Sequence, residues 1–166
     1  MKRYVPVYGY ITDITDFYTG SSAPTGCYKL FTVRIDKTDI NNFVVAPCTY
    51  IFDNTTLKNG DFVVAFYDSN APTPLIYPPQ YRALAMAKGT DRGNVTYDYF
   101  DSTLTSSDGG LKLNISPDTV ILMENNQTFT GKLENRILMV EYLFSTKSIP
   151  AQTTPAKVIV ICNNEC

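Results

Sequence analysis

The residues of this 166-residue chain best suited to chemistry are its four cysteines. Cys162 and Cys166 sit four positions apart in the closing stretch Ile161-Cys-Asn-Asn-Glu-Cys166, where an exposed thiol is reactive. Such a pair can close on itself, chelate a soft metal or cross-link neighbouring subunits, and cross-linking is the reading taken. Cys27 opens the second expected strand and Cys48 follows Pro47 in the third. A barrel either brings that pair together or buries each separately as a small apolar side chain. No metal site is read, because a zinc ion held by the tail pair needs two further ligands and the sequence has no His to supply them.

Aromatic residues supply the second candidate site. Tyr8 and Tyr10, two apart on a strand, share a face. With Tyr28 and Phe31 they form a candidate ligand face for a glycan, a peptide or a small ligand. The competing reading is structural: Tyr is a good strand former whose hydroxyl keeps one end wet over a barrel rim. Stacking on a nucleic acid also needs a cationic groove. A net charge of −2, a pI near 5.0 and scattered Lys and Arg argue against that partner.

Catalytic signatures are missing. Without His the chain lacks the commonest general base, and no P-loop, Gly-x-Gly-x-x-Gly turn or Gly-x-Ser-x-Gly elbow occurs. The expectation is a non-enzymatic protein with no cofactor. Asp13, Asp16, Asp36 and Asp39 lack the spacing of a calcium loop and read as turn residues. Pro78-Pro-Gln-Tyr81 matches a Pro-Pro-x-Tyr ligand pattern but reads as a packed connection.

The elements that must position these residues are strands, arranged in a sequence that repeats itself. Phe43-Val-Val-Ala-Pro47-Cys-Thr49-Tyr-Ile-Phe52 returns as Leu113-Asn-Ile-Ser-Pro117-Asp-Thr119-Val-Ile-Leu122. Residues 61–67 answer to 136–142, and Pro78-Pro-Gln80 answers to Pro150-Ala-Gln152. Strands are expected at 5–11, 28–35, 43–52, 61–68 and 81–87, then at 94–100, 111–115, 119–123, 136–144 and 157–161. Five strands per half, with a Gly-Asp entry to the fourth and a long connection to the fifth, predict an all-β protein of two tandem five-stranded OB-like barrels. A single ten-stranded β-sandwich is the alternative. The expected divisions are 1–88, a hinge at 89–93, and 94–166 with the cysteine-bearing tail.

The repeat with Pro47-Cys-Thr49, Leu57-Lys-Asn-Gly-Asp61, Pro74-Leu-Ile-Tyr-Pro-Pro-Gln-Tyr81 and Lys112-Leu-Asn-Ile-Ser-Pro117 is similar to a group of uncharacterised proteins of anaerobic, clostridial-type spore-forming bacteria. That resemblance supplies a setting and no catalytic residues. The expected function is structural: a self-associating component of a spore coat or surface layer, locked through its cysteines, with a binding module for a glycan, peptide or small ligand as the alternative. No secretory signal is read, since Pro6, Gly9, Thr12 and Asp13 interrupt any apolar run after Lys2-Arg3, and no run reaches the length of a membrane span. Synthesis in the cytoplasm is expected, followed by incorporation into such a structure.

Overall fold

The computed structural model describes residues 2–20, 26–89 and 93–162. Among these residues the protein is all-β, with no α-helix. The chain divides into two compact units, the first holding residues 5–89 and the second holding residues 93–162 together with residues 2–4.

In the first unit β1 (Tyr4–Asp16), β2 (Lys29–Arg34) and β3 (Ile40–Val45) form an antiparallel meander. β4 (Tyr50–Ile51), β5 (Phe62–Asp68), β6 (Gln80–Arg82) and β7 (Ala85–Lys88) complete a seven-stranded sheet in the order β4-β7-β5-β1-β2-β3-β6. β1 is long because it serves two neighbours: residues 10–16 pair with β2, while Ile11 exchanges backbone bonds with Gly60 and Asp61 at the entry to β5. The register against β2 shifts between Ile11 and Asp13, a bulge within that pairing. Gly9 lies just before that point. A Cβ on Gly9 would stand 2.5 Å from Arg34 O and 2.7 Å from Val33 Cγ1, so only glycine lets the two strands approach this closely.

Two expected strands are each broken in two, for one shared reason. Residues 43–52 split at a turn in which Pro47 needs no backbone donor. Thr49 closes it: its N–H donates to Ala46 O at 3.0 Å, and its hydroxyl accepts from Ala46 N at 3.0 Å and donates to Ala83 O at 2.8 Å. Ala83 in turn interrupts the expected strand 81–87, leaving β6 parallel to β3 and β7 antiparallel to β5. Ala83 N still bonds Val44 O and Leu84 N bonds Phe66 O, so two residues bridge strands that lie far apart in the sheet order. The sheet therefore curls back on itself. Its inner face buries Val7, Ile11, Phe31, Val33, Phe43, Val63, Ala65 and Met86.

The second unit repeats this plan. β8 (Asn94–Phe100) pairs antiparallel with β11 (Arg136–Tyr142), β11 with β13 (Lys157–Val160), and β13 runs parallel to β10 (Val120–Met123). β9 (Leu111–Leu113) runs parallel to β12 (Ala151–Thr153), a strand the sequence reading did not anticipate. Bridges from Ser106 to Phe100 and from Thr105 to Lys112 stand where β2 stands in the first unit. Thr119 repeats the latch of Thr49, accepting from Ser116 N at 3.2 Å and donating to Pro155 O at 2.8 Å. Cis peptide bonds precede Pro78 and Pro150, the aligned prolines that lead into β6 and β12. The core here is Phe100, Leu111, Leu113, Leu133, Leu138, Val140, Val158 and Val160.

Thr49 and Thr119 are both buried, so removing either hydroxyl leaves a backbone carbonyl and a backbone N–H without their partner. Thr49→Val and Thr119→Val are each expected to cost about 1–3 kcal/mol, read as a lowered urea midpoint at unchanged slope. A loss of only a few tenths would show that the paired turns are held by something else.

Candidate functional site

The outward face of β1 carries Tyr8 and Tyr10, each 51% exposed, while Val7, Gly9 and Ile11 point inward. Phe62 joins them, its ring 6.5 Å from Tyr8 and 5.1 Å from Tyr10. Gly89 floors this cluster: a Cβ there would meet the Phe62 ring at 2.4 Å. The other two residues of the expected ligand face are elsewhere. Phe31 is in the core, because on β2 it shares the inward phase with Val33, and Tyr28 is half-buried ahead of β2. Phe62 was missed, because Val64 and Phe66 in the same phase of β5 are buried and alternation does not mark it as outward.

The three described cysteines, Cys27, Cys48 and Cys162, lie apart from one another. Cys27 and Cys162 are exposed and take part in no disulfide, so the considered pairing of Cys27 with Cys48 does not form. Cys48 is half-buried, with Arg82 Nη2 3.9 Å from its sulfur. The Cys162 N–H donates to Glu124 Oε1 at 2.9 Å, which anchors the end of the last strand. Cys166 lies outside the described residues.

Asp36 behaves as a turn residue. Its Oδ1 accepts from Thr38 N at 2.8 Å and Asp39 N at 2.9 Å, and these bonds, Thr38 foremost, hold the carboxyl below its ordinary range. Asp16 pairs with Lys29. Among the described residues no three acidic, His or Cys side chains gather to hold a metal ion.

The largest exposed apolar side chains lie on the connection from β5 to β6 and on its counterpart from β11 to β12. Leu75 is fully exposed and is followed by the exposed Ile76 and Tyr77. In the second unit Leu143 and Phe144 are exposed, and Ile149 stands at 97%. Scattered apolar residues on a surface are ordinary; clusters recurring at the same place in two units are a signal of contact with another molecule. Beside Phe144 lies an open groove of about 400 Å³, walled by Leu143, Thr153 and Ala156.

Asp98 was not singled out from the sequence, and it is the most anomalous polar residue of the fold. It lies on β8 in phase with the core residue Phe100 and is 1% exposed. Its Oδ1 accepts from Ser107 Oγ at 2.5 Å and from Tyr99 N at 2.8 Å, while the buried Oδ2 has no hydrogen-bond partner. Desolvation, opposed by those two bonds, pushes the carboxyl above its ordinary range. The raised value fixes the sign of a pH effect: the stability present below the ordinary Asp range is lost as pH rises through the folded value. Asp98→Asn is expected to flatten that part of the stability–pH curve and to raise stability at pH 8. An unaltered curve would show that Asp98 ionises as freely folded as unfolded.

Comparison with protein-family models, with curated proteins and with solved structures finds no match to this chain.

Proposed function

We propose that this chain is a non-enzymatic assembly protein made of two OB-like barrels that associates with further copies of itself through the apolar connections leading into β6 and β12. The barrel reading is supported by the strand pairing: an antiparallel meander, a parallel return beside its third strand and a single segment bridging β3 to β5. The observation that carries the function is the recurrence of highly exposed large apolar residues, Leu75 with Tyr77 and Ile149 with Phe144, on the same connection in both units. Burying such tips in a partner removes a standing cost of about 25 cal/mol per Å² of apolar surface. The tip of one copy seats in the groove beside Phe144 of the next, a head-to-tail contact that propagates where it does not close. Cys27 and Cys162, both exposed, then lock neighbours in an oxidising setting such as a spore coat or surface layer. Sedimentation of Leu75→Ser with Ile149→Ser tests this: the variant is expected to sediment as a smaller species than the wild type at equal concentration. Identical profiles would remove the apolar tips from the account.

A second reading rests on a separate observation. Tyr8, Tyr10 and Phe62 form an exposed aromatic row on one sheet face, suited to stacking on a sugar ring. Oligosaccharide binding that Tyr10→Ala abolishes, with the sedimentation profile unchanged, would favour it over assembly.

A further inference from the structure

The repeat isolates one residue that the fold does not require. The turns Pro47-Cys48-Thr49 and Pro117-Asp118-Thr119 occupy matching places in the two units. Both are latched by the threonine hydroxyl, which donates to Ala83 O at 2.8 Å in one and to Pro155 O at 2.8 Å in the other. Asp118 shows that the middle position of this turn needs no sulfur. Cys48 is nonetheless disulfide-bonded, while Cys27 and Cys162 take part in no disulfide. The chain has four cysteines, which leaves Cys166, outside the described residues, as the partner within one chain.

We propose that Cys48 and Cys166 form an intrachain disulfide that straps the last residue of the chain to the Pro47–Thr49 turn and opens on reduction. The surroundings of Cys48 suit a bond that exchanges. Its side chain is half-buried rather than sealed in a core, and Arg82 Nη2, 3.9 Å from its sulfur, is a cation that stabilises the thiolate set free when the bond opens. A thiolate so stabilised leaves more readily, which speeds reduction. Closure balances with a small-molecule disulfide as oxidant. One thiolate of the pair attacks it and releases half of it as a thiol; the second thiolate then displaces the other half, so two protein thiols become one disulfide and the reagent becomes two thiols. The closed loop contains residues 93–162, and a loop of that length restricts the unfolded chain strongly, so closing it stabilises the fold. The pairing holds whether or not copies of the chain associate: Cys48 and Cys166 are used within one chain, and Cys27 and Cys162 are left for neighbours.

The experiment starts from the full chain, reduced, equilibrated with glutathione disulfide, alkylated and run on a non-reducing gel; the single-chain band is digested with trypsin and read by mass spectrometry. Cleavage after Lys37, Lys58 and Lys157 releases residues 38–58 with Cys48 and residues 158–166 with Cys162 and Cys166. These peptides are expected to be joined, with the link kept in Cys162→Ser and lost in Cys166→Ser. Reduction and Cys166→Ser are each expected to lower the urea midpoint by similar amounts, and Cys162→Ser to leave it unchanged. Alkylation of all four cysteines after equilibration, glutathione left on Cys48, a link from Cys48 to the peptide that holds Cys27, or a link that survives in Cys166→Ser would each overturn the assignment. An unchanged midpoint in reductant would overturn the stabilising role of the strap.

Discussion

Phe43→Ala is expected to lower the stability of the first unit by about 3–5 kcal/mol, a large part of the roughly 5–15 kcal/mol that holds a typical domain together. Phe43 is fully buried at the centre of β3, opposite Phe31 on β2 and Tyr81 on β6. Its ring lies 6.0 Å from that of Tyr81. The void left by alanine resists collapse because β3 is held by backbone ladders on both sides, antiparallel on one and parallel on the other. Urea denaturation checks this, with Tyr18→Ala at an exposed position as the control expected to stay within about 0.5 kcal/mol. A cost below about 1 kcal/mol for Phe43→Ala would place the true core elsewhere.

The second large effect comes from adding atoms rather than removing them. Gly9→Ala puts a methyl 2.5 Å from a backbone carbonyl of β2, an atom that moves only if the strand moves. Overpacking of this kind costs about 1–3 kcal/mol and sometimes more. The clash is with Arg34 and Val33 of β2, beside the bulge in the β1–β2 pairing, so the register of residues 10–16 is the part expected to suffer. Hydrogen exchange of the β1 and β2 amides measures it: faster exchange confined to that pair is expected. Uniform protection with an unchanged midpoint would mean that the strands have room to spare.

Much of the architecture was legible because the sequence carries it twice. The recurrence of Pro47-Cys-Thr49 as Pro117-Asp-Thr119 aligns with two identical latches, in which the threonine hydroxyl answers a carbonyl from the segment before β7 or β13. Inward and outward phases on β1 were readable from the spacing of Tyr8 and Tyr10. The breaks at Ala46–Thr49 and Ala83 were not, since a run such as Phe43 to Phe52 is apolar through the turn and only a contact distant in sequence bends it. Phe31 misled for a related reason: an aromatic in an apolar strand looks the same whether it faces ligand or core. The short β12 carries Gln and Thr and no apolar signal, and its pairing with β9 depends on the chain returning from far along the sequence.

Asp98 was invisible for the opposite reason. An Asp in Thr-Tyr-Asp-Tyr reads as a solvent-facing position, and nothing local says that Ser107, nine residues later, bends back to bond it. In the first unit the apolar tips were hidden inside a proline-rich tract whose composition signals a connection and not a surface, and in the second Leu143 and Phe144 fell within the expected strand 136–144, which ends at Tyr142.

The measurement that bears most directly on the account is the solution mass of the wild-type protein, by light scattering across a concentration series, with and without reductant. The account predicts a mass above the single-chain 18.5 kDa that rises with concentration, persists in reductant through the apolar tips, and becomes resistant to dilution once the thiols oxidise. A mass of one chain at every concentration, in both conditions, would contradict it.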